Sequence, residues 1–87
     1  MNTQLFSETE ALFSALQDET ALTAVFHTVF GEASANLYPS FSRKIRYVEA
    51  TELNEKEQSL VLRSVIQMFI FHNKYNAQQV SKDEIEA

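Results

Sequence analysis

Arg43, Lys44 and Arg46 stand together in a chain that has no Lys or Arg before them. A guanidinium fork binds carboxylate or phosphate through two hydrogen bonds. Such a cluster could hold a carboxylate-rich partner or a nucleic-acid backbone. The opposite charge gathers upstream, at Glu8, Glu10, Asp18 and Glu19. A surface of that sign steers a basic protein partner and loses on-rate as salt rises. A plainer outcome competes with both. The cations could neutralise the carboxylates inside the molecule, for about 0–1 kcal/mol per surface pair.

Residues suited to covalent or metal chemistry are sparse. His27 and His72 are the only histidines. Neither follows a Glu by three positions, so the Glu-x-x-His spacing of di-iron bundles is absent. A metal site needs three or four converging ligands, and neither a metal nor another cofactor is expected. The absence of Cys removes disulfides, thiolate zinc sites and a cysteine nucleophile. Serines and threonines are plentiful, but no pattern sets one beside a base held by a third group. Asp18-Glu19 could do acid–base work only in a cleft. No glycine-rich loop offers to cradle a phosphate. The chain is expected not to be an enzyme.

Helices must position these charges. One Gly and one Pro in 87 residues are too few for the turns of an all-β fold. The expected class is all-α, a compact bundle of about four helices. Ser7-Glu8-Thr9-Glu10 has capping-box spacing, which predicts a first helix over 7–17 carrying Leu12, Phe13 and Leu16; Leu5 joins that face if the helix begins earlier. Leu22, Val25, Phe26, Val29 and Phe30 form the next stripe. One straight helix would rotate that stripe by about 120° from the first. A break is therefore predicted at 17–20, with Asp18 or Thr20 as the new N-cap; a 3₁₀ kink is the rival. Gly31 suits the left-handed position that ends a helix.

Residues 32–35 read as a loop. Asn36 can then cap a third helix with Leu37, Phe41, Ile45 and Val48 inward and Pro39 in its first turn. A short strand at 44–48 is the alternative. Asn54 caps the fourth helix, predicted to run over 55–79. Its stretch LVLRSVIQMFIF is nearly all apolar and spreads over roughly 200° of the wheel, far more than a one-sided stripe. This segment should be an enclosed central spine. Phe26, Phe30, Phe41, Ile66 and Phe69 should dominate stability. Residues 1–80 are read as one domain, and 81–87 as an acidic tail, frayed or forming a short extra turn.

Composition bounds the partners. Twelve acidic against seven basic residues leave a net charge of −5, which disfavours general binding to nucleic acid or anionic membrane. Leu60–Phe71 is too short to span a bilayer of about 20 apolar residues, and the N-terminus has no basic region and apolar run of a signal peptide. A cytoplasmic location is expected. In size and charge the chain is similar to small acidic helical inhibitors, immunity-type proteins and accessory proteins, with no residue motif behind the likeness.

Three readings follow. The leading one is a non-enzymatic module that binds a basic protein partner through Glu8, Glu10, Asp18 and Glu19. The second is a homodimer built on the fourth helix, where Leu60 and Phe71 lie with Arg63 and Gln67 on its polar side. The third is a nucleic-acid-associated protein using Arg43, Lys44 and Arg46.

Overall fold

A computed structural model of the chain describes residues 3–76. Four α-helices occur: α1 (Thr3–Ala15), α2 (Glu19–Phe30), α3 (Ser34–Glu49) and α4 (Glu55–Ile70). They form three continuous helical runs, not the expected four separate helices. A 3₁₀ turn, Gly31–Ala33, joins α2 directly to α3, and a π-helical turn, Phe71–Asn76, extends α4. No strand occurs among the described residues.

The first helix begins earlier than the capping-box spacing suggests. Leu5, Leu12 and Ala15 are all buried, so extending α1 to Thr3 adds Leu5 to the core. Burying such a side chain contributes about 1.5–3 kcal/mol, which outweighs a cap of about 1 kcal/mol at Ser7. Thr9, inside the supposed box, is only 3% exposed and donates its hydroxyl to the Leu5 carbonyl at 2.7 Å.

The break before α2 falls where the rotated stripe requires it. Asp18 is the N-cap, and its Oδ1 accepts from the Thr20 and Ala21 amides at 3.0 and 3.4 Å. Gly31 has φ +62° and its N–H donates to the His27 carbonyl. A Cβ there would meet nothing within 4 Å. The requirement for glycine is therefore conformational, not steric.

The expected loop at 32–35 is not found, and Asn36 is not a cap. Helix α3 starts at Ser34, which puts Pro39 inside the helix rather than in its first turn. Proline there denies the Ala35 carbonyl its usual donor; Ala35 is exposed, so water can serve it. The 44–48 segment is helical, not a strand. A straight helix would hold residues 26 and 41 about 22 Å apart. Their ring centroids are 4.9 Å apart. The run through Gly31 thus turns a corner and folds α3 back on α2.

Asn54 caps α4 with a full reciprocal box: the Glu57 amide donates to Asn54 Oδ1 at 2.8 Å, and the Asn54 amide donates to Glu57 Oε1 at 3.3 Å. The helices pack in a ring, α1 on α2, α2 on α3, α3 on α4, and α4 on α1. Phe26, Phe41 and Phe69 are buried and in mutual ring contact, with Phe30 against Phe26 and Phe69. Ile66 and Ile70 are fully buried beside them.

Two expectations about α4 need correction. It is a wall of the bundle, not an enclosed spine, because its main packing is with α1 and α3. Leu60, Val61, Met68 and Phe71 are exposed. Its α-helical geometry stops at Ile70 and gives way to the π turn. The predicted end at 79 and the 81–87 tail lie outside the described residues.

Candidate functional site

Helix α4 has a seam on each side. On the α1 side the charges are consumed. Arg63 Nε donates to Glu10 Oε2 at 3.0 Å, and the Arg63 guanidinium carbon lies 4.0 Å from the centre of the Phe13 ring. Lys74 Nζ pairs with Glu8 Oε2, and the Tyr75 hydroxyl donates to Glu8 Oε1 at 2.7 Å. On ideal α-helical spacing Tyr75 would fall near Ser64, away from α1. The i→i+5 bonding of the π turn advances less per residue, and so swings Tyr75 back toward Glu8. Burial first, then the hydrogen bond to Glu8 and that carboxylate's charge, push the Tyr75 hydroxyl up to about 12.

Three of the four carboxylates of the expected acidic surface have partners inside the molecule. Glu8 and Glu10 face α4 and are paired. Asp18 is committed to the α2 cap. Glu19 is exposed in the first turn of α2 and is the one of the four whose carboxylate no neighbouring group engages among the described residues. Internal neutralisation does occur, but with Arg63 and Lys74 as the cations. Arg43, Lys44 and Arg46 are exposed and make no ion pair among the described residues.

On the α3 side the seam is open. A groove of about 630 Å³ runs between α3 and α4. Ser40, Arg43, Lys44 and Tyr47 form its α3 rim, at the i, i+3, i+4, i+7 spacing of one helix face. Val65, Met68 and His72 form its α4 rim, again one face. Leu37, Val48 and Phe69 complete the floor. Phe69 is fixed from beneath by Phe41, whose ring centre is 5.3 Å away at an interplanar angle of 65°. Among the described residues no Asp or Glu lines the groove, although the protein is acidic overall. Tyr47 is 76% exposed and Met68 59%. Arg46 does not line the groove, so the three basic residues do not act as one patch.

The expected oligomer-interface set also divides. Leu60, Gln67 and Phe71 are exposed along one face of α4, while Arg63 is turned to Glu10. Val61 and Met68 adjoin that face and were not singled out by the sequence, where they counted toward the enclosed side. The missed signal for the groove was the same-face spacing of Ser40, Arg43, Lys44 and Tyr47.

A second hollow lies at the α2–α3 corner, where His27 Nδ1 is 3.1 Å from Ser34 Oγ. Catalysis by such a pair requires a third group to orient the imidazole, and none is placed there among the described residues. No group of three or more His, Cys, Asp or Glu is arranged to hold a metal ion among them, and no described helix is long and apolar enough to cross a membrane. Comparison of the chain with protein-family models, curated proteins and solved structures finds no match.

Proposed function

We propose that this protein is a non-enzymatic protein-interaction module whose contact surface is the α3–α4 face. The observation that carries the reading is a groove with an apolar floor and no carboxylate among the described residues that line it, rimmed by Arg43 and Lys44, in a chain of net charge −5. Leu60, Val61 and Phe71 on the same helical run are also exposed. Exposed apolar side chains beside arginine have the make-up of an interface hot spot. The partner's site of contact is thus moved from Glu8 and Glu10, which are occupied, to the opposite side of α4. A compartment that keeps thiols reduced suits a Cys-free chain, and the cytoplasm is the location proposed.

Affinity capture from the native host tests this. Wild-type protein should retain a specific partner, and Met68→Asp should lose it while keeping the native melting temperature. Equal capture by both proteins would remove the α3–α4 face from consideration.

A two-fold dimer through α4 is the second reading, supported by Leu60, Gln67 and Phe71 sharing one exposed face. Sedimentation velocity at micromolar concentration decides it. A dimer that Leu60→Glu converts to monomer is the expected result under this reading, and a monomeric wild type ends it.

A further inference from the structure

We infer that the α3–α4 groove takes an amphipathic helix of a partner protein that carries carboxylates along one flank. The inference rests on the interaction-module reading and adds the chemistry of the occupant. Three observations combine.

The first is shape. The α3 side of the groove, rim and floor together, runs from Leu37 to Val48, about 16 Å or three helical turns. That length fits the i, i+3/i+4, i+7 anchors of a helix laid in a groove.

The second is the division of polarity. Val65, Met68 and Phe69 make the α4 side apolar until His72 and Asn73 at its C-terminal end, while Arg43 and Lys44 stand on the α3 side. An occupant that matches both needs an apolar stripe with anions on one flank only.

The third is that these cations make no ion pair among the described residues. Glu8 and Glu10, the carboxylates that could have neutralised them, are held by Lys74 and Arg63 across the other seam.

Other occupants fit less well. A second copy docking groove to groove would set Arg43 and Lys44 against their own equivalents if the two-fold axis crosses the groove, a like-charge contact, and against the α4 side, which offers no carboxylate among the described residues, if the axis runs along it. A nucleic acid would need a basic track for its phosphates, and this floor is apolar, with Arg46 off the groove.

The test uses the full chain and three synthetic helices of about 16 residues. All share one Leu/Met/Phe stripe, and their flanks are all-Glu, all-Gln or all-Lys. The Glu-flanked peptide should bind most tightly, and the Lys-flanked one least. Amide shifts on binding should map to Leu37–Val48 and Val65–His72. Arg43→Glu with Lys44→Glu should weaken the Glu-flanked peptide by at least about tenfold and reverse the flank preference, an effect of electrostatic complementarity. Binding that ignores flank charge, or no binding by any peptide at about 1 mM, the weak limit of specific affinity, would overturn the inference.

Two further results would also overturn it. Tighter peptide binding after Val80→Asp with Ile85→Asp would make the chain's own C-terminal segment the occupant. A dimer abolished by Arg43→Glu would make it a second copy. The interaction-module reading survives these peptide outcomes, because it fails only if Met68→Asp leaves partner capture intact.

Discussion

The two seams of α4 differ in one respect that has large consequences. Along α1, one cation of α4 and one of its π-turn extension meet carboxylates: Arg63 meets Glu10, and Lys74 meets Glu8. Along α3, the cations are on the facing helix and α4 offers them Val65, Met68 and His72 instead. The first seam is satisfied by its own residues. The second leaves apolar surface and positive charge side by side. The lesson is that net charge does not say which charges stay free: in a protein of net charge −5, Glu8 and Glu10 are paired internally, while Arg43 and Lys44 are exposed with no ion pair among the described residues.

Breaking the aromatic core beneath the open seam should have the largest effect. Phe69 is buried among Phe26, Phe30 and Phe41. Phe69→Ala should cost about 3–5 kcal/mol, a large part of the stability of a domain this small. Chemical denaturation checks it, and a midpoint barely displaced would contradict the packing described.

Next in size is the closed seam. Glu8→Ala leaves Lys74 and Tyr75 without their acceptor in a partly buried position and should cost about 1–3 kcal/mol. The half-exposed Arg63–Glu10 pair should show a coupling of only about 0.2–1 kcal/mol in a double-mutant cycle with Ala at both sites.

Tyr75 sharpens the contrast by pH. Its neutral form is favoured in the folded state, where the hydroxyl is pushed up from 10.0 to about 12. That contribution is fully present below pH 10 and is lost as pH rises toward 12. Thermal melts across this window should show the wild type losing more stability than Tyr75→Phe. Parallel curves would mean that the hydroxyl does not hold the π turn to α1.

The smallest effect belongs to the open seam. Arg43→Glu and Lys44→Glu should each change stability by no more than about 0.5 kcal/mol, as expected for exposed residues without partners. Measurable destabilisation would show that these cations serve the fold rather than a partner.

The helical segments were legible because periodicity and caps act locally. Asp18 and Asn54 cap the helices they precede, and Phe26, Phe41, Ile66 and Phe69 are buried. Three features were not legible. The capping-box spacing at Ser7 was outweighed by the burial of Leu5, a tertiary gain. The 3₁₀ junction at Gly31–Ala33 follows from packing the Phe26 and Phe41 rings together. The π turn brings Tyr75 to Glu8 beside Lys74, and nothing in residues 71–76 announces it. The groove was half legible: the one-face spacing of Ser40, Arg43, Lys44 and Tyr47 could be read, but not that α4 would leave it uncovered.

By itself the sequence determined that this chain is helical, where its stripes change direction, and which side chains are large enough to build a core. Those properties depend on dihedral preferences and on spacing over a few residues. Only the tertiary structure decided which carboxylate meets which cation and which flank of α4 stays open. Such pairings join residues more than 50 positions apart, and their partners are chosen by how the helices dock.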